Sequence, residues 1–409
     1  GGKLPLRVEL PTVEPDHCTP FKPTRTRRNF PRGRYGDPAM EPLCVRILVV
    51  NWLDPHAPRA GGAELHLEEV FSRLVRRRHE VTLLASGWPG AAAEASVRGM
   101  RVVRSGTIWT FPFEWRAALR RVGGPGAFDI LVEDLNKLPL GLGRLAPGRT
   151  VVLVHHLWSH AAFQAASLPV AFLTWLSELG LARLYRGQRV IAVSESGRQD
   201  LVRRGFPSAA VSVVENGIEL PDEPPASEGE RSDVPLFLYV GRLQPYKRVH
   251  LLLEAMATLA AERVTCRAVI AGTGPAEAAL KRLAVRLGLG RVVEFAGFVS
   301  NAERRSLLRQ SWAHVQPSRR EGWGLTVMEA AAAGTCAVTA NSAGLRDAVE
   351  HDVTGLLVPH RYLPTFADAL RFLVRNPREA WRMGTAAHLR AGLLSWDRAA
   401  ARVEEILLR

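Results

Sequence analysis

From Val45 onward the chain alternates short, almost wholly apolar runs with helical stretches, and it does so twice. The first series of runs is VRILVV, VTLLAS, DILVEDL, TVVLVHH, RVIAVSES and VSVVENG. Between the first two, Leu67, Val70, Phe71 and Leu74 recur on one helical face. Strands this uniformly apolar must be covered on both faces, as they are in a parallel sheet flanked by helices. Residues 45–220 are therefore predicted to form one Rossmann-like α/β domain. A polar, proline-bearing connector, PDEPPASEGERSDV, spans 221–234. The rhythm restarts over 235–385 with PLFLYVGRL, CRAVIAGTGP, VVEFAGFV, WAHVQPS, CAVTA and GLLVP, with helices over HLLLEAMATLAAE and EAALKRLAVRLGL. Two doubly wound sheets in tandem form a cleft, and ligands bind outside the carboxyl ends of such strands.

Composition limits what that cleft serves. With 409 residues, 47% of them hydrophobic, the chain can bury the cores of two ordinary domains. Its four cysteines, Cys18, Cys44, Cys266 and Cys336, lie far apart and include no C-x-x-C pair. Neither a disulfide framework nor a zinc site is suggested, and a reducing cytoplasm fits best. The most apolar stretch, AASLPVAFLTWLSELGL, is broken by Pro169 and Glu178 and is too short to span a bilayer. A net charge of +14 implies attraction to polyanions: nucleic acid, an anionic membrane or a phosphorylated substrate. Nucleic acid is disfavoured, because no basic stretch is interleaved with aromatics that could stack bases. Residues 1–44 are rich in Pro and Arg, lack periodicity, and are predicted to form an extension without fixed structure. Met40 is the expected natural start; peptides from residues 1–39 in the native protein would show otherwise.

The strand ends carry ligand chemistry. YVGRLQPYKR leaves a strand at Gly241 and supplies Arg242 and Lys247 near a helix N-terminus, an arrangement suited to a diphosphate. Taken alone, such a pair reads more readily as two surface cations. In SRREGWGLTVMEAAAAGT, Gly322 and Gly324 allow backbone amides to approach a ligand, and Glu329 sits early in the following apolar helix. Pointed into the sheet, its carboxylate would be costly; pointed along the cleft, it could accept hydrogen bonds from a vicinal diol such as a ribose. Glu321 would then face the other end of the same ligand.

These segments, in this order, resemble the family-4 retaining glycosyltransferases of the GT-B fold. The resemblance covers almost everything from Val45 to Arg409. It rests on the E-x7-E pair Glu321 and Glu329, on GRLQPYK, AGTGP at Ala271 to Pro275, FAGFV at Phe295 to Val299, VSES, ENG, and GGAE at Gly61 to Glu64. No G-x-G-x-x-G fingerprint follows VRILVV or FLYV, which speaks against a dehydrogenase.

The resemblance implies roles by position. Arg242 and Lys247 match the pair that holds the donor diphosphate and stabilises its charge as the glycosidic bond breaks. Glu321 matches the glutamate that contacts the donor sugar, and Glu329 the one that binds the nucleotide ribose. Backbone groups of Gly241, Gly272, Gly322, Gly324, Leu325 and Thr326 belong to the donor site. Phe298 and Val299 border the base, and Gly61 and Gly62 approach the diphosphate and sugar. His155 matches the cleft histidine, and His156 is its rival, because strand alternation sends the two side chains to opposite faces. VEDLNKLPL offers Glu133, Asp134, Asn136 and Lys137 either as an acceptor pocket or as capping and turn residues.

No cofactor is implied beyond a nucleotide-diphosphate sugar, and no metal, because the chain shows no metal-holding D-x-D pair. Front-face attack by an acceptor hydroxyl is the mechanism the resemblance implies. A glycan, a lipid-linked molecule or a small natural product could be the acceptor. The apolar VAFLTWLSELGLARLYRG and the basic SRLVRRRHE suggest contact with an anionic membrane, or else two ordinary packed helices. Residues 386–409 resemble a terminal helix that crosses back to the first domain. Two positions depart from the family pattern: Trp323 stands where phenylalanine is usual, and Thr335-Cys336 where a proline is usual. A GT-B phosphorylase or epimerase, and a non-catalytic carbohydrate or polyanion binder, are the competing classes.

Overall fold

A computed structural model describes residues 44–135, 138–157, 168–359 and 364–409. The predicted extension over residues 1–44 lies, apart from Cys44, outside the described residues, as do Asn136 and Lys137. Cys44 is disulfide-bonded, whereas the sequence suggested no disulfide; Cys266 and Cys336 are free and buried.

The first sheet contains β1 (Arg46–Val50), β2 (Glu80–Ala85), β3 (Glu94–Val97), β4 (Met100–Arg104), β5 (Ile130–Leu135), β6 (Thr150–Val154), β7 (Arg189–Ala192) and β8 (Val211–Val213). Its order is β3-β4-β2-β1-β5-β6-β7-β8, parallel throughout except for the β3–β4 pair. That pair is absent from the sequence reading. Its turn is Arg98-Gly99, both at positive φ, and its two strands are short and broken by charged residues, so no apolar run marks the hairpin. The second sheet contains β9 (Leu236–Val240), β10 (Arg267–Ala271), β11 (Val293–Gly297), β12 (Ala313–Gln316), β13 (Cys336–Ala340) and β14 (Gly355–Val358). It is wholly parallel, in the order β11-β10-β9-β12-β13-β14.

The apolar patterning works as the periodicity predicts. Leu48, Val49 and Val50 are fully buried within β1, and Leu67, Val70, Phe71 and Leu74 of the helix Gly62–Arg76 are buried against the sheet. In each sheet the chain order reverses at the first strand: β1 lies between β2 and β5, and β9 between β10 and β12. These are the switch points at which a doubly wound sheet opens a crevice.

The connector is anchored rather than loose. Arg231 donates to the carbonyls of Ser311 and Gly334 and to Thr335 Oγ1, and its guanidinium lies 4.4 Å from the Trp381 ring centroid. Thr335, one of the two departures from the family pattern, thereby ties the connector to the second domain. The other, Trp323, is buried in the core.

The C-terminal crossing begins later than residue 386, which falls inside the helix Pro377–Gly392. That helix packs on β13 and β14. The chain crosses at Ile218, whose N–H donates to the Leu394 carbonyl at 2.9 Å. The helix Trp396–Leu408 then lies along Gly62–Arg76, with Arg73 to Asp397 at 3.1 Å, His79 Nε2 to Glu404 at 2.8 Å, and an Arg77–Glu404 ion pair.

Candidate active site in the interdomain cleft

Residues from the carboxyl ends of both sheets meet in one place. After β9 the chain turns at Gly241 and presents Arg242, exposed and with no ion pair among the described residues. Gly272, just past β10, has φ +139, and a Cβ there would collide with the Gly241 carbonyl. The two strand ends can sit this close only with glycine at that position. Across the cleft, Gly61 caps the helix Gly62–Arg76 and donates to Glu64 Oε2 at 2.8 Å. The space above Gly61 is bounded by Arg242 Nη2, and that above Gly62 by Leu325 Cδ1. Both first-domain glycines thus face residues of the second domain.

Lys247 Nζ lies 2.5 Å from Glu321 Oε1, and Gln316 Nε2 donates to the same oxygen at 3.0 Å. Gln316 ends β12 and also reaches Thr326 Oγ1 at 3.4 Å, linking the E-x7-E loop to the first turn of the helix Leu325–Ala332. Gly324 is the N-cap of that helix. Gly322 abuts the end of β6: a Cβ there would stand 2.8 Å from the His155 carbonyl oxygen. Phe298 is solvent-exposed at the end of β11, and Val299 packs on the second domain's core.

The two histidines divide as strand alternation requires. The His155 ring turns into the first domain, with Nε2 3.1 Å from Asp134 Oδ1 and its centroid 5.0 Å from that of His66. Only its backbone carbonyl reaches the Glu321–Gly322 loop. Burial lowers the His155 pKa, but the Asp134 carboxylate outweighs this and holds it above the ordinary imidazole value. His156 faces the cations instead. Burial, then Arg320, His155, Lys247 and Arg242, push its pKa down to about 3, so its ring is neutral. His156, named as the rival, is thus the histidine whose ring feels Lys247 and Arg242.

Glu133 does not line a pocket. Its carboxylate is buried and accepts from Leu140 N at 2.6 Å, Leu142 N at 2.7 Å and the Tyr185 hydroxyl, closing the turn after β5. Alternation gives Asp134 the opposite face, where it meets His155. Glu329 turns toward the neighbouring helix Asn301–Gln310. Its Oε1 lies 3.2 Å from Arg304 Nη2, and burial raises its pKa while Arg304 opposes the rise.

Sequence reasoning missed Arg304, Arg320 and Gln316. Arg320 forms an ion pair with Asp200 of the first domain, bridging the cleft's edge. Both arginines sit in Arg-rich runs, NAERRSLL and SRREG, where nothing in the sequence separates a paired guanidinium from a solvated one.

Two facing doubly wound sheets with this cleft define a GT-B glycosyltransferase architecture. Its solved counterparts include sucrose-phosphate synthase from Thermosynechococcus elongatus, with TM-score 0.76 and 20% identity, covering 88% of this chain and 98% of that one. Anabaena Alr3699/HepE in complex with UDP and glucose has TM-score 0.70 and 19% identity, covering 88% and 98%. The chain matches Glycosyltransferase Family 4 over residues 60–222 and Glycosyl transferases group 1 over residues 222–390, the two matches meeting in the connector. It is 31% identical to a D-inositol 3-phosphate glycosyltransferase of Streptomyces avermitilis, with 95% of this chain and 90% of that protein covered. It is 27% identical to a glycogen synthase of Mycobacterium tuberculosis, covering 89% and 94%. The chain belongs to the family-4, group 1 glycosyltransferases.

Proposed function

We propose that this glycosyltransferase moves a hexose from a nucleotide-diphosphate sugar to an acceptor hydroxyl with retention of anomeric configuration, without a metal or other cofactor. The observation that carries the reading is the meeting of Arg242 with Gly61, of Leu325 with Gly62 and of Gly322 with the His155 carbonyl, beside the Lys247–Glu321 pair. Arg242 and Lys247 supply fixed positive charge where a departing diphosphate gathers negative charge. That contribution is electrostatic and needs no proton transfer from the protein. Lys247 is held by Glu321, so a bound sugar hydroxyl would share Glu321 with a partner already in place. Glu329 retains a buried oxygen for the ribose. Front-face attack by the acceptor, its proton passing to a donor phosphate oxygen, fits a site whose side chains are a clamp rather than a nucleophile. The Alr3699/HepE structures hold UDP, glucose or UDP-glucose, which supports a uridine or similar donor for this fold.

Calorimetric titration with UDP, GDP, ADP and their sugar conjugates tests the reading. Micromolar binding of one nucleotide, weakened by about tenfold or more in Glu329→Ala and Lys247→Ala, is expected, since each removes a charge-assisted contact. A folded protein that binds none of them is a carbohydrate or polyanion binder instead. Release of free nucleotide only when an acceptor is present separates transfer from phosphorolysis or epimerisation. Activity is expected to survive chelator; a loss beyond about tenfold would mean a metal takes part in the charge stabilisation.

On the first domain we further propose contact with an anionic membrane surface, bringing a cytoplasmic enzyme to a lipid-linked acceptor. The helix Leu168–Leu179 supports this: Leu168, Phe172 and Leu173 are 72%, 54% and 52% exposed. Beside it lies an open groove of about 960 Å³ lined by Leu176, Leu179, Arg183, Arg186, Arg204 and Phe206. No helix among the described residues is long and apolar enough to cross a membrane, so this contact would be superficial.

A further inference from the structure

Arg304 stands one turn into the helix Asn301–Gln310, which follows directly on Phe298 and Val299. Its Nη2 reaches across to the helix Leu325–Ala332 and meets Glu329 Oε1 at 3.2 Å. The other carboxylate oxygen, Oε2, is buried and has no hydrogen-bond partner among the described residues. A carboxylate oxygen buried without a donor is costly, and a ligand that supplies one is among the explanations such an atom calls for. Glu329 therefore has one oxygen occupied and one waiting. The pair is not a solvated surface contact, since the two side chains are 32% and 19% exposed. Burial raises the pKa of this carboxylate, and Arg304 opposes that rise without cancelling it.

We propose that Arg304 is a positioning residue for donor recognition: it fixes Oε1 of Glu329 so that Oε2 alone is presented to the vicinal 2′,3′-hydroxyls of a ribose. The proposal rests on the reading of the cleft as a nucleotide-sugar site and adds the residue that makes its ribose contact selective. A carboxylate free to rotate would offer either oxygen, or a proton in place of a lone pair. Clamped, it offers one acceptor atom in one direction, which a diol can satisfy and a deoxyribose cannot.

The test uses the full chain and two probes, the nucleoside diphosphate that binds best among UDP, GDP and ADP, and its 2′,3′-dideoxy counterpart. The ratio of the two dissociation constants is the readout, because a merely structural role would weaken both probes together. Wild type is expected to prefer the ribonucleotide. In Arg304→Met the ribonucleotide should weaken by about tenfold while the dideoxy compound changes little, so the ratio collapses. In a Glu329→Gln background the Arg304→Met change should add almost nothing, because the two residues act as one unit. Arg304→Lys, which keeps the charge but loses the planar fork, should fall between and serves if the Met variant does not fold. Equal weakening of both probes, no weakening of either, or multiplicative effects with Glu329→Gln would overturn the proposal while leaving the donor site intact. A wild type that does not distinguish the two probes would remove the ribose reading itself.

Discussion

His155 shows how one residue's surroundings decide what it can do. Its neighbours Asp134 and Glu64 favour the imidazolium, and burial opposes it; the net effect is a pKa raised above the usual value. The folded chain therefore binds this proton more tightly than the unfolded chain does. The stabilisation is complete below the ordinary imidazole value, about 6.5, and is lost as pH rises through the raised one. In Asp134→Asn the principal opposing carboxylate is gone, and burial, countered only by Glu64, should carry the His155 pKa below the ordinary value. Titration of the His155 ring protons by NMR, assigned with a His155→Gln variant, should show wild type on the alkaline side of that value and the variant on the acid side. Coincident titrations would mean that Asp134 does not set the charge of this ring.

At the scale of elements, most of the framework was legible because its signal is repetitive. Every apolar run named from the sequence is a strand, and the four residues predicted on one helical face are buried together. The E-x7-E spacing likewise located the loop and helix that carry Glu321 and Glu329. What escaped was information held in pairings between distant segments. Glu133 and Asp134 are adjacent in sequence, and only the positions of Tyr185 and His155 reveal that one closes a turn while the other holds a histidine. Arg231 sits in a connector that reads as flexible by composition, yet it bonds to Ser311, Gly334 and Thr335. Replacing it with methionine would leave those acceptors without their donor and remove the stacking on Trp381. A loss of about 2–4 kcal/mol in the stability of the second domain is expected from chemical denaturation, the range for breaking a partly buried, charge-assisted network. An unchanged unfolding midpoint would show that the connector is as loose as its composition suggests.

For the whole molecule, the question is how the cleft meets its acceptor. Contacts from Arg73, Arg77 and His79 fasten the terminal helix to the first domain, so the two halves are joined both there and through the connector. The exposed apolar helix Leu168–Leu179 lies on that same first domain, and the exposed Arg183 and Arg186 beside it form no ion pair among the described residues. An apolar face flanked by free cations gains twice at an anionic bilayer, from burial among the lipid headgroups and from about 1 kcal/mol per basic residue near the surface. The full chain is expected to co-sediment with vesicles containing phosphatidylglycerol, and less so with neutral phosphatidylcholine or in high salt. Replacing both Arg183 and Arg186 with glutamate should abolish the preference for anionic lipid, whereas Phe172→Ser with Leu173→Ser should weaken binding to both kinds of vesicle. Neither substitution touches the cleft, so transfer to a soluble acceptor should be unchanged while transfer to a vesicle-borne one falls. Equal sedimentation with neutral and anionic vesicles would assign the exposed helix to a protein partner, and no sedimentation at all would leave the acceptor to be sought among soluble glycans.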